Sequence, residues 1–194
     1  MKFAIGNRLA LAAALGSLTM LPACSASNKE TAAQASGEMT VKKDSTLTDV
    51  LGNQSELSTL AKAVKESELD SVFDGKASYT LLAPDNDAFA KLGDKAATLM
   101  SADQRPVLIA LLRQHLLPGF VAPEDISKAI ASKGGPVTMT TLGGTDVTFS
   151  KQGDTIMVAN GDGSKASFVG NATGANNGVV IPLDAVLVPG DKAS

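Results

Sequence analysis

The chain has 194 residues with 17 Lys+Arg, 20 Asp+Glu, one histidine, one cysteine and no tryptophan, for a formal net charge of −3. A weakly acidic chain lacks the basic surface that holds nucleic acid. One cysteine excludes an intrachain disulfide, and one histidine cannot build a multi-histidine zinc site.

Lys2 and Arg8 lead into an apolar stretch over 9–20 and then Leu21-Pro22-Ala23-Cys24, the layout of a secretory signal. That stretch falls short of the roughly 20 residues that span a bilayer as a helix. Leucine three positions before a cysteine, with alanine directly before it, resembles the lipobox of bacterial lipoproteins. The resemblance implies cleavage after Ala23, a lipidated Cys24 thiol and an acylated amine, so that several acyl chains hold the membrane. Removing 1–23 takes away Lys2 and Arg8 and no acid, leaving 15 Lys+Arg against 20 Asp+Glu, a net charge of −5. Residues 25–44 are small and polar and cannot bury enough surface to offset ordering entropy. The expected organisation is a signal over 1–23, a lipidated flexible tether over 24–44 and one folded domain over 45–190. Ser25 is not the aspartate that commonly retains lipoproteins at the inner membrane. The expected location is therefore the outer membrane, facing the periplasm or the cell surface.

Leu47, Val50 and Leu51 follow helical spacing, and Leu57, Leu60, Ala61 and Val64 repeat it after a cap expected at Ser55. Leu69, Val72 and Phe73 continue the pattern until Asp74-Gly75. A strand over 79–82 stops at Ala83-Pro84, since proline brings no amide hydrogen. Asp85, Asn86 and Asp87 then crowd the start of a short helix that packs through Phe89 and Leu92. A longer helix is predicted over 103–112, capped by Asp103, with Pro106 in its first turn and Val107, Leu108, Leu111 and Leu112 as its buried stripe. A further helix over 123–131 ends at Gly134-Gly135-Pro136. Strands over 137–142 and 145–149 flank Gly143-Gly144, read as a two-residue hairpin with both glycines at positive φ. Strands over 155–159 and 165–169 flank Asn160-Gly161-Asp162-Gly163. The apolar run over 179–188 implies burial on both faces. Helices first and sheet later is an α+β order.

Three segments carry a family resemblance. Residues 79–89, with Ala83-Pro84-Asp85-Asn86-Asp87-Ala88-Phe89, are followed by 111–119, with His115 before Leu-Leu-Pro-Gly, and by 177–189, opening on Asn177-Gly178-Val179. Together they are similar to the conserved blocks of the fasciclin domain family over 42–190. The resemblance implies a wedge-like β-sheet core with a group of short helices, and adhesion or binding of extracellular partners. Gln114 stands where the family carries tyrosine, so the integrin-type adhesion attributed to that motif in animal members does not transfer. Pro182 inside the closing run predicts an edge position or a bulge. The motif residues Pro84, Asp85, Asn86, His115, Asn177 and Gly178 are read as structural.

His115 lies among leucines and reads as a satisfied core residue rather than a general base. A calcium loop at 160–163 would need an acid where Val169 stands, and no glycine-rich nucleotide motif is present. No enzyme, cofactor or metal is predicted. The leading expectation is an envelope-anchored adhesion or binding module for protein or polysaccharide partners. The alternative is a periplasmic carrier or sensor of a small apolar ligand, which needs a concave apolar pocket.

Overall fold

The computed structural model describes residues 39–73 and 75–188. Residues 1–23, read above as a signal, Cys24, Ser25, most of the expected tether, Asp74 and Pro189 lie outside them.

Elements run in the order β1 (Met39–Val41), α1 (Leu47–Gly52), α2 (Ser58–Glu66), α3 (Asp70–Phe73), β2 (Tyr79–Pro84), α4 (Asn86–Ala90), α5 (Asp94–Leu99), α6 (Arg105–Gln114), β3 (Leu116–Pro118) and α7 (Pro123–Lys133). Then come β4 (Val137–Thr140), β5 (Asp146–Gln152), β6 (Thr155–Asn160), β7 (Lys165–Ser167), β8 (Ala172–Ala175) and β9 (Gly178–Leu183). A mixed five-stranded sheet has the order β1-β8-β9-β2-β3, and a four-stranded antiparallel meander has β4-β5-β6-β7. The architecture is the α+β class expected, with two sheets and a group of short helices among the described residues.

The five-stranded sheet is the middle layer, and its period of two decides what covers each face. Leu81 pairs with Leu116 on one side and Val180 on the other. All three join Leu47, Leu60, Phe73, Leu108 and Leu112 under the helices. The next register row, Leu82 with Ile181, faces the opposite way, toward Phe149, Val158 and Ile126. Leu81, Leu82 and Val180 are completely buried, and each such aliphatic side chain contributes on the order of 2 kcal/mol. This two-sided burial is why the run after 179 shows no alternation.

Several expectations are corrected. Met39–Val41, assigned to the tether, is a strand in parallel register with Ala172, Thr173 and Gly174. Its polar neighbours hid it, because backbone pairing at a sheet edge needs little apolar surface. The long helix begins at Arg105 behind a 3₁₀ turn over Ala102–Gln104, so Asp103 is not its cap, while Pro106 does sit in its first turn. Val107 is 48% exposed and lies outside the buried stripe. The β4–β5 connection is a three-residue loop over 142–144, closed by Thr141 N donating to Thr145 O at 2.9 Å. Only Gly144 has positive φ, +76°. Gly143 instead lies against α6, where an added Cβ would stand 2.9 Å from Gln114 Cγ. Pro182 is in an interior strand with unbroken register to β2, neither edge nor bulge. It is tolerated because β8 pairs only as far as Val180. Beyond that point the Pro182 carbonyl accepts from Val169 N, and no strand asks for its missing N–H.

Candidate functional site

Pro84 ends β2 opposite Leu183, and the Asp85 amide donates to Leu183 O at 2.9 Å. Asp85 Oδ1 accepts from Ala88 N at 2.6 Å, the expected cap of α4. Asn86 serves a different helix. Its Oδ1 accepts from Thr59 N at 2.9 Å, and its Nδ2 donates to Ser55 O at 2.8 Å. α2 has no side-chain cap of its own, and the Ser55 hydroxyl bonds Glu56 instead. Asn86 thus caps from across the chain the helix that Ser55 was expected to start. Replacing it with alanine is expected to cost about 1 kcal/mol, as a lost cap does. Denaturant midpoints of Asn86→Ala and wild type would check this; equal midpoints would remove the cap role.

Asn177 ties three elements. Its Oδ1 accepts from Leu47 N at 2.9 Å at the start of α1, and its Nδ2 donates to Phe73 O at the end of α3. Its backbone carbonyl accepts from Tyr79 N at 3.1 Å, where β2 begins. Gly178 follows at a place where the Tyr79 carbonyl and Leu47 leave no room for a side chain.

His115 is 1% exposed. Its Nε2 accepts from Leu187 N at 3.0 Å and its Nδ1 lies 2.9 Å from Leu111 O. An acceptor at Nε2 places the ring proton on Nδ1, donated to Leu111, so the imidazole is neutral. Burial drives its pKa down from 6.5 to about 4, with the Leu111 carbonyl opposing. The histidine clamps the closing segment to the end of α6 and has no free nitrogen for a substrate. Among the described residues no three His, Cys, Asp or Glu side chains converge as a metal site would need. The 160–163 segment is a turn in which Asn160 Oδ1 accepts from Ser164 N and Asn160 Nδ2 donates to Val188 O.

Pro84, His115, Asn177 and Gly178 are thus buried and Asp85 and Asn86 half-buried, with the polar side chains among them bonded within the domain. A cleft of about 330 Å³ is lined by Leu69, Val72, Tyr79, Arg113, Leu116 and Leu142. Across Arg113 and Leu142 it continues into a depression of about 270 Å³ formed with Ile109, Gln114 and Gly143. The Gly143 amide donates to Arg113 O at 3.0 Å and fixes the hairpin tip as one wall. Arg113 is exposed, and no carboxylate lies within ion-pair distance of it among the described residues. An exposed cation between apolar walls can bind a carboxylate flanked by apolar groups. Sequence reasoning missed this cleft, whose one visible sign was Leu142, an apolar residue beside two glycines.

Among the described residues no helix is long and apolar enough to cross a membrane. The protein sll1483 of Synechocystis is 28% identical over 146 residues, covering 74% of this chain and 73% of that protein. The transforming growth factor-beta-induced protein ig-h3 of Sus scrofa is 31% identical over 131 residues, 68% of this chain but only 17% of that protein. The immunogenic protein MPB70 of Mycobacterium bovis is 28% identical over 143 residues, covering 71% of this chain and 65% of that protein. Among solved structures, a FAS1 domain pair from the insect cell adhesion molecule fasciclin I superposes with a TM-score of 0.67 at 16% identity. It covers 75% of this chain and 51% of that one, so this chain spans half of the pair. A model of the fasciclin domain matches residues 55–189, and the chain belongs to the fasciclin domain family of cell adhesion-related modules.

Proposed function

We propose that this chain is a non-enzymatic, envelope-anchored adhesion module, held by a lipid on Cys24 at the outer membrane, that binds a protein partner in the Arg113 cleft. The observation that carries the reading is the division of labour among the side chains. The motif residues Asp85, Asn86, His115 and Asn177 spend their polar groups on internal amides and carbonyls. Arg113 and Tyr79 face a cleft with apolar walls. Apolar walls around one cation favour a protein side chain beside a carboxylate over a neutral polysaccharide, which needs many hydrogen bonds or stacking aromatics.

A photo-crosslinking side chain at Leu142, on intact cells, should yield a covalent protein adduct that Arg113→Glu abolishes; the same group at exposed Lys151 should yield none. Equal adducts at both positions would overturn the cleft as the contact surface. The cleft volume also supports a second reading, carriage of a small ligand, because 330 Å³ is at the low end of ligand sites. Release of a small molecule from purified, denatured chain, with no protein adduct at Leu142, would favour carriage. The mass of the N-terminal peptide tests the anchor separately, and an unmodified Cys24 would sink it.

A further inference from the structure

Exposed Val41 and Phe120 converge on one spot of the surface, beside a half-buried Met39 that also packs against the core. A Cβ added at Gly174 would come within 3.3 Å of Val41 Cγ2, 3.4 Å of Phe120 Cζ and 3.6 Å of Met39 Sδ, so the three side chains roof a bare glycine of β8. Val41 is 47% and Phe120 43% exposed. Phe120 arrives there by an enforced path. After β3 the chain turns at Gly119, φ +93°, and the Thr80 hydroxyl donates to Gly119 O at 2.9 Å and accepts from Val121 N at 2.8 Å. Those bonds lay residues 119–121 across the sheet along the register row Thr80, Val179, Gly174, Val41. Lys42 and Lys43 follow β1, both exposed, with exposed Asp44 offsetting one of them.

Exposed apolar residues scattered singly need no explanation. These are clustered, and they surround the point where the chain leaves toward Cys24. The intervening residues 25–38 reach no more than about 50 Å even if fully extended, a distance comparable with the width of a domain of this size. A face held that close to a bilayer meets it at high effective concentration, so an affinity too weak to register in free solution suffices.

We propose that this face rests on a phospholipid surface, with Val41 and Phe120 in the headgroup region, Met39 supporting them from beneath, and Lys42 and Lys43 against lipid phosphates. The chain's overall acidity opposes general adsorption, which confines attraction to the two lysines. Aromatic and aliphatic side chains enter such interfaces readily. The proposal rests on reading Cys24 as the anchor, and the test separates the two.

Cys24 is the only thiol, so the full chain can be coupled there to vesicles of phosphatidylethanolamine and phosphatidylglycerol bearing a maleimide lipid, whatever modification it carries in cells. With no native tryptophan, Phe120→Trp and Leu142→Trp each supply one indole. In vesicles containing brominated lipid, Phe120→Trp should lose most of its emission and shift to the blue, while Leu142→Trp should keep its emission. Adding Lys42→Glu and Lys43→Glu should weaken the quenching about tenfold or more. Equal quenching at the two positions, or none at either, would overturn the proposal. So would a blue shift of Phe120→Trp that grows with protein concentration without vesicles, which assigns the face to a second copy. An unmodified Cys24 in cells combined with strong quenching in coupled vesicles would refute the anchor and leave the lipid-facing surface standing.

Discussion

Gly178→Ala is expected to leave little folded protein. The new methyl group would overlap the Tyr79 carbonyl oxygen and come within 2.8 Å of Leu47 Cδ1. Neither neighbour can retreat. The Tyr79 carbonyl belongs to the backbone of β2, in parallel register with β9 from Tyr79–Gly178 onward. Leu47 is 1% exposed in the helical core, and its amide is held by Asn177. Relief therefore requires parting β2 from β9 at their first rung or lifting α1 off the sheet, and either breaks the Asn177 junction. A loss of more than about 4 kcal/mol follows, in the range reserved for overpacking and broken buried networks. Gly161→Ala is the control, because nothing lies within 4 Å of its added methyl; it should stay within about 0.5 kcal/mol of wild type. Soluble yield and urea midpoints decide the matter, and a Gly178→Ala protein with a wild-type midpoint would contradict the close packing described.

Stability should also fall with acidity through a window set by His115. The folded-state pKa is about 4 against 6.5 unfolded, so between those values the unfolded chain takes up a proton that the folded chain refuses. Stability from this residue is complete above pH 6.5, declines as pH drops toward 4 and levels off below. The full decline is on the order of 3 kcal/mol, taken from the distance between the two pKa values. Carboxylates add slopes of their own, so the measurement is a difference. His115→Asn cannot reach both Leu111 O and Leu187 N and should be less stable at pH 8 by about 2 kcal/mol, the penalty of an orphaned buried group. That gap should narrow, and can invert, by pH 4, since asparagine has no proton to refuse. Urea titrations of both proteins across this range would show parallel curves if the imidazole were exposed to water.

The readable parts of the fold are those where one local rule dominates. Ala83-Pro84-Asp85 marks the end of β2 because proline and a capping acid act within four residues of each other. The run after 179 declares a two-faced strand because both layers over it are apolar. Long-range bonds are not readable. The Asn86 cap of α2 spans 27 residues to Thr59, and the Asn177 bond spans 130 residues to Leu47. α5 escaped notice because it has no buried residue and hence no stripe. Val107 misled because helical spacing fixes which residues share a face but not how wide the covered face is. The cleft was invisible for the same reason as the caps: its walls come from α3, β2, α6 and the hairpin tip, brought together only by folding.

β1 gives the domain a mechanical character. The strand nearest the proposed anchor pairs with β8 over three residues, at one margin of the sheet, while Tyr79 and Leu116 put the cleft over the two strands at the other margin. A pull between a membrane and a bound partner would cross the sheet strand by strand and meet a ladder of only three register pairs first, at the sheet's edge. Detaching β1 would release more chain while leaving the long β2–β9 ladder intact. A domain wired in this way yields at its margin under tension and keeps its grip.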